Sequence, residues 1–489
     1  MTGDVEGGSA DTAGASAFDL RDPRRIHVVG VGGSGMSAIA EALVGMGHQV
    51  SGSDLRSSAN LDRLSGLGVR VFVGHDAANL DAASRGAPTL GTGGVGRPVD
   101  AVAISTAVPP DNPEVVAARR MSVPVLARSA VLAAICAERR TIAVSGTHGK
   151  TTTSSLLAVG LLGAGLRPSF VVGGEIIGLG SGARWDDGEW LVVEADESDG
   201  TFLALPCETA IVTSVEPDHL EHYGSFAVLE EAFDRFLAGA TGHRLVCADD
   251  PGAAALGRRH GAVSYGTAAA ADMRMVEVVG SRASVRFGLL DHGRPLGDVE
   301  VPLPGLHNAR NAAGAVSAAL LAGASFPAVV AAVAGAGGIG RRFQLRGERR
   351  GVTFVDDYAH LPGEVTAALA AARDGKWRRV VCVFQPHRYS RTAALWRDFG
   401  SSFTDADLLL VTDVYAAGEQ PRAGVSGQLI VDAVLDRHPD AAVTYVPERA
   451  DLVAHLRSLL SPDDLCLTLG AGDLTTLADD LLADDLFAE

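Results

Sequence analysis

Short apolar runs recur along the chain, each ending in a glycine-bounded turn or a charged cluster. Runs at 26–29, 49–54, 69–73 and 101–105 predict strands, and helical spacing through Leu43 predicts a helix between the first two. Ile142 and Val144 predict a further strand, after which Leu156, Leu157 and Leu161 return at helical spacing. Runs at 190–194 and 210–215 follow, and 304–311 opens a long alanine-rich helix. Beyond a glycine-rich joint at 335–340, strands fit 352–355, 380–384, 408–412 and 465–469. Strands alternating with helices predict an α/β chain with mainly parallel sheets. The breaks divide it into units at 25–139, 140–336 and 337–489, after a tail at 1–24.

Composition narrows the picture. A length of 489 residues suits about three domains. Apolar residues make up 47%, yet none of the runs reaches about 18 residues, so no membrane span is predicted. Acidic residues outnumber basic ones by 59 to 41, which disfavours nucleic acid or an anionic membrane as partner. The tail is rich in Gly, Ser, Ala and Asp, and reads as disordered rather than as a signal peptide. Residues 86–98, with five glycines and two prolines, read as a solvent loop. The five cysteines lie far apart with no C-x-x-C pair, which points to a reducing cytoplasm and away from metal-thiolate chemistry.

The chemistry centres on Gly146-Thr147-His148-Gly149-Lys150-Thr151-Thr152, set between a strand and a helix. The two glycines let the backbone curl so that its N–H groups point at a polyphosphate, and the helix start adds unpaired amides. Lys150 can reach the β- and γ-phosphates, and the Thr151 hydroxyl can sit on a phosphate-bound Mg²⁺. The loop is two residues tighter than the common G-x-x-x-x-G-K-[ST]. Only two lysines occur in the chain, Lys150 and Lys376, and one of them falls inside this loop, which marks it out as chosen for the phosphates. In a parallel sheet the strand C-termini share one edge, so Glu194 and His219 can meet the same nucleotide. Glu194 suits Mg²⁺, whereas a lone His219 is either a ligand, a residue behind one, or a surface loop residue. Asn308 and Asn311 share a helix face and can read a purine edge or merely cap the helix.

The outer units carry two more candidates. Gly30, Gly32, Gly33 and Gly35, followed by Met36 and Ser37 and later by Asp54, form a pyrophosphate-binding pattern. It fits a dinucleotide, another nucleotide diphosphate, or a tight turn with no ligand. In the last unit, strands run into clusters at 356–360, 385–391, 413–415 and 470–473. Arg388 and Arg391 can clamp a carboxylate bidentately.

Eight motifs then stand in one order: G-x-G-G-x-G-M-S, G-T-H-G-K-T-T, E-A-D-E-S-D, E-P-D-H-L-E-H-Y, H-N-x-R-N, R-R-F, D-D-Y-A-H and F-Q-P-H-R-Y-S-R. The chain thereby resembles the Mur ligase family from about residue 30 to Arg391, and within it the alanine-adding branch. That resemblance implies three α/β domains: a Rossmann-like UDP-sugar-binding domain, a central P-loop ATPase domain and a Rossmann-like C-terminal domain. It implies ATP-dependent joining of L-alanine to UDP-N-acetylmuramate through an acyl phosphate. Residues 146–152 would hold ATP, with Thr151, Glu194 and His219 about Mg²⁺ and Lys150 on the transferred phosphoryl. Asn308, with Asn311 beside it, would recognise adenine, Asp357 its ribose, and Arg342 the γ-phosphate. Arg388, Arg391 and His360 would hold the alanine carboxylate, with Tyr358 as the wall of its pocket, and the loop 30–37 would carry UDP. The expected assembly is a monomer or weak homodimer.

Two departures bear on these roles. The family's second histidine after Asp-Tyr-Gly/Ala is replaced by Leu361, and no lysine lies between Lys150 and Lys376 to be carbamylated beside the metal. The second departure fits the alanine-adding branch. Rival readings are an NAD-dependent oxidoreductase, which leaves the phosphate loop unused, and a non-catalytic UDP-sugar-binding protein, which needs no Lys150, Thr151 and Glu194. A recycling ligase for preformed peptides is the alternative within the family.

Overall fold

The computed structural model describes residues 18–84 and 98–483. Each of three sheets supplies one layer between helices. The first is fully parallel, in the order β3-β2-β1-β4-β5, from β1 (Arg25–Val29), β2 (Gln49–Asp54), β3 (Arg70–Val73), β4 (Ala101–Ile104) and β5 (Val125–Ala127). This places the end of β1, and hence the glycine loop, beside the end of β2.

The second sheet has ten strands: β6 (Arg140–Ser145), β7 (Ser169–Ile176), β8 (Ser181–Arg184), β9 (Trp190–Glu194), β10 (Thr209–Val212), β11 (Arg244–Cys247), β12 (Val263–Gly266), β13 (Met273–Gly280), β14 (Val285–Asp291) and β15 (Arg294–Val301). Their order is β15-β14-β13-β12-β11-β10-β6-β9-β7-β8, with a parallel centre and antiparallel pairs at both ends. β6 and its neighbours β9 and β10 are buried almost throughout, as continuous apolar strands of a doubly covered sheet are. The helix Lys150–Gly163 follows β6 and buries Leu156, Leu157 and Leu161. Gly163 lets it approach the helix Phe326–Ala334 closely, since a Cβ there would collide with Ala332.

The third sheet runs β16-β17-β21-β18-β19-β20, from β16 (Gln344–Arg349), β17 (Val352–Asp357), β18 (Arg379–Phe384), β19 (Leu408–Val411), β20 (Val443–Tyr445) and β21 (Asp464–Leu469). All its pairs are parallel except β16 with β17.

The apolar cores are shared unequally. One cluster runs without a break from Ile26 and Leu43 of the first unit to Val193, Phe202 and Phe233 of the second. The helix Ser34–Gly45 lies on the β7–β8 hairpin there, Gly45 against Trp185, with Arg63 bonded to Glu41 and Ser181. The third unit's clusters draw on residues from Phe343 onward.

The tail differs from its expected disorder at its end. Phe18 packs on the first core and Leu20 is buried in it, because two apolar residues escape notice in an otherwise small and polar stretch. The loop expected over 86–98 lies outside the described residues except for Pro98. Among the described residues, no helix is long and apolar enough to cross a membrane, and all five cysteines are buried thiols.

Candidate active site

Gly146 and Gly149 take φ values of 130° and 81°, where a side chain would be strained, so the chain turns sharply into the helix Lys150–Gly163. Residues 213–216, after β10, strap this loop down. Thr147 N donates to Ser214 O at 3.0 Å, His148 N to Ser214 Oγ at 2.9 Å, and Glu216 N to Thr147 Oγ1 at 2.9 Å. Thr152 is buried in the first helical turn. Lys150 folds back over the loop, its Nζ donating to Gly146 O at 2.7 Å and lying 2.8 Å from Glu197 Oε2.

Acids from the end of β9 face that lysine. Burial pushes the Glu197 carboxyl up to about 7 against the pull of the Lys150 ammonium. Burial alone would lower the Lys150 value, but Glu197 and Asp196 outweigh it and keep the ammonium charged. Thr151 Oγ1 donates to Glu194 Oε1 at 3.0 Å, and Glu194 Oε2 accepts from Gly173 N at 2.6 Å. His219 adopts a left-handed backbone (φ 52°), its Nε2 3.2 Å from Asp218 and 3.8 Å from Glu197, and burial lowers its pKa.

The third unit closes over this edge. Arg342 Nη2 donates to Thr151 Oγ1 at 3.3 Å, and the guanidinium groups of Arg341 and Arg342 flank the Tyr358 ring at 4.7 and 5.3 Å. Arg391 lies 3.2 Å from His387 Nδ1 and 3.9 Å from Asp218 of the central unit. Arg388 begins the helix Tyr389–Leu395 in a left-handed backbone, with its N–H on Tyr415 O at 2.8 Å. His360 and His387 stand with ring centroids 5.8 Å apart. Burial holds them near 4 and 3, so both are neutral imidazoles at neutral pH.

His148 bridges the two units, with Nδ1 3.2 Å from Glu364 and Nε2 3.2 Å from Glu216. Burial would lower its pKa, but the two carboxylates outweigh it and raise the value to about 10. A histidine raised above its ordinary 6.5 gives stability that is complete below that value and lost as pH climbs toward 10. We therefore expect the wild type to lose stability relative to His148→Gln between about pH 6.5 and 10. Denaturant midpoints measured across that window would show the two curves converging; parallel curves would remove the imidazolium.

Asn308 and Asp357 each bond to nearby backbone. Asn308 is buried and donates from Nδ2 to Pro304 O at 2.7 Å. Asp357 accepts from Phe343 N at 2.7 Å and Ala359 N at 2.8 Å, and burial raises it to about 6. Asn311 is also buried, against Gly149.

In the first unit, Gly30 N and Val31 N donate to Ser53 O, and Gly33 precedes the helix that carries Gly35, buried Met36 and buried Ser37. Asp54 Oδ2, at the end of β2, accepts from Gly32 N at 3.0 Å, which turns the carboxylate onto the glycine loop after β1. Arg128 lies over Gly35 at that helix start, 3.5 Å from Asp196 and 3.3 Å from Asp199 of the central unit.

Comparison with known proteins fits this three-part layout. Residues 25–140 match the description "Mur ligase family, catalytic domain", 144–319 "Mur ligase middle domain" and 341–472 "Mur ligase, glutamate ligase domain". The UDP-N-acetylmuramate--L-alanine ligase of Myxococcus xanthus is 44% identical over 471 residues, 96% of each chain. That of Pelobacter propionicus is 42% identical over 92% of this chain and 95% of its own. The chain belongs to the Mur ligase family.

A solved UDP-N-acetylmuramate-alanine ligase from Thermotoga maritima, 27% identical, superposes with a TM-score of 0.77 over 94% of this Mur ligase and 98% of its own chain. A murein peptide ligase from Psychrobacter arcticus, 21% identical, shares the fold at a TM-score of 0.66, over 94% and 98%. The geometry of this Mur ligase also adds residues that motif reading passed over. Glu197 stands three after Glu194 within E-A-D-E-S-D, so its spacing was available. Arg128 and Glu364 lie in no pattern that names them, and only the folded chain brings them to the clefts.

Proposed function

We propose that this chain joins L-alanine to the lactyl carboxylate of UDP-N-acetylmuramate at the expense of ATP, within peptidoglycan precursor synthesis in the cytoplasm. The supporting observation is that Arg342 of the C-terminal domain donates to Thr151 of the phosphate loop, while Arg391 comes within 3.9 Å of Asp218, so the C-terminal and central domains face one cleft. Near full-length likeness to alanine ligases supports the choice of substrate.

ATP is consumed as a substrate. The lactyl carboxylate attacks its γ-phosphorus, the bond to ADP breaks, and an acyl phosphate forms. The alanine amine attacks the acyl carbon, gives up its proton, and phosphate leaves. Loop amides and Lys150 take up charge on the transferring phosphoryl, and Arg342 adds a cation from the facing domain. Thr151 and Glu194, bonded to each other, offer hard oxygen donors and fit Mg²⁺, and His219 lies 3.8 Å from Glu197 on the same strand-end edge. Among the described residues no three His, Cys, Asp or Glu side chains converge as an all-protein metal cage, so the remaining ligands fall to phosphate and water. Bound there, Mg²⁺ supplies charge neutralisation for the phosphates. Neutral His360 and His387 leave Arg388 and Arg391 as the cations for the alanine carboxylate. Closure excludes water from the acyl phosphate.

The test is phosphate release from ATP with UDP-N-acetylmuramate and, in turn, alanine, glycine, serine or a tripeptide. Alanine is expected to give the highest kcat/KM. Preference for the tripeptide would assign a recycling ligase instead, and micromolar NAD competing with the UDP-sugar would assign an oxidoreductase.

A further inference from the structure

Both ring nitrogens of His148 face carboxylates, Glu364 on one edge and Glu216 on the other. A neutral imidazole has one N–H, so satisfying both acceptors requires the doubly protonated ring. The ring's backbone is fixed to the central domain through His148 N on Ser214 Oγ and through Thr213 Oγ1 on His148 O. Glu364 is fixed to the C-terminal domain. Its Oε2 accepts from His360 N at 2.9 Å and Leu361 N at 3.2 Å, and lies 3.2 Å from His360 Nδ1. One carboxylate thus ties the strand-end loop that carries His360 to the phosphate loop. The connection spans a joint at 335–340 that contains four glycines.

We propose that Glu364 is a positioning residue, which with His148 and Glu216 latches the C-terminal domain over the phosphate loop and so sets how much of the enzyme is ready to accept alanine. The proposal rests on the ligase reading above. Glu364 acts through His148 and His360. A weaker latch lowers the closed fraction, and a ligand that needs the closed state loses apparent affinity by that factor. Alanine is held by the C-terminal domain and consumed at the central one, so its KM moves most. UDP-sugar binding, in the first domain, stays where it was.

The experiment is a double-mutant cycle on the full chain with Glu364→Gln, His148→Gln and the pair, and with Glu364→Asp as the conservative variant. Glu364→Gln is expected to raise the alanine KM about tenfold with kcat within about threefold, and His148→Gln to raise it by a similar factor with a lower kcat as well, since His148 stands in the phosphate loop. The pair should be no more than about twofold worse than either alone, because both cut one connection. Glu364→Asp should recover part of the loss. UDP-N-acetylmuramate affinity should match the wild type throughout. An alanine KM within twofold of wild type in Glu364→Gln, or a product of effects near a hundredfold in the pair, would overturn the latch. If Glu364→Gln does not fold, the half-exposed Glu216→Gln completes the same cycle with His148→Gln. Wild-type turnover of alanine, measured alongside, tests the ligase reading separately.

Discussion

Lys150→Ala is expected to abolish ligation, with kcat falling by at least about 10³-fold, while UDP-N-acetylmuramate still binds. Lys150 is the cation placed inside the phosphate loop, held over it by Gly146 O and Thr147 O. Arginine cannot replace it, because the loop needs a compact ammonium among phosphate oxygens. The variant should still fold. Its loss leaves Glu197 buried without a cation, but that carboxyl is already pushed up to about 7 and takes up a proton instead of remaining charged. Calorimetric titration with UDP-N-acetylmuramate beside a phosphate-release assay makes the comparison. A comparable loss of UDP-sugar affinity in a folded variant would break the assignment of that substrate to the first domain.

The second large effect is expected at the amino-acid pocket. Removing one arm of the Arg388 and Arg391 pair costs a charge-assisted hydrogen bond, about 1.5–3 kcal/mol, or a ten- to hundredfold rise in the alanine KM. Arg391→Ala should be the more severe, since Arg391 also lies against His387 and 3.9 Å from Asp218 across the domain boundary. ATP affinity should survive in both. Alanine KM unchanged in the two variants, or ATP affinity lost in step with it, would remove these arginines from the carboxylate role.

Much of this was legible in the sequence because it is local. The strands at 49–54 and 190–194 fall on the residues their apolar runs named, and the phosphate loop announces itself through Gly146, Gly149 and Lys150. The antiparallel strands β13–β15 were missed: buried positions such as Val285, Phe287 and Val299 alternate with more exposed ones such as Arg286, Gly288 and Asp298, so no continuous apolar run marks them. Asn308 and Asp357 show another limit. The i, i+3 spacing offered Asn308 as a purine reader and the resemblance offered Asp357 for the ribose, but neither signal contains the backbone bonds these side chains make to Pro304 O, Phe343 N and Ala359 N. Arg128 and Glu364 were illegible for a third reason: their meaning lies in what they face on another domain, and nothing in their own neighbourhood encodes that.

The unequal sharing of apolar cores has a consequence for how the chain comes apart. The first two domains are fused by one cluster that runs from Ile26 to Phe233, whereas the third keeps its clusters to itself. It meets its neighbour through polar groups such as Arg282, which pairs with Asp463 and covers the Trp377 ring. Cooperative unfolding follows buried apolar contact, so the C-terminal domain forms a melting unit of its own and the other two melt together. A single midpoint temperature is then not a property of this protein.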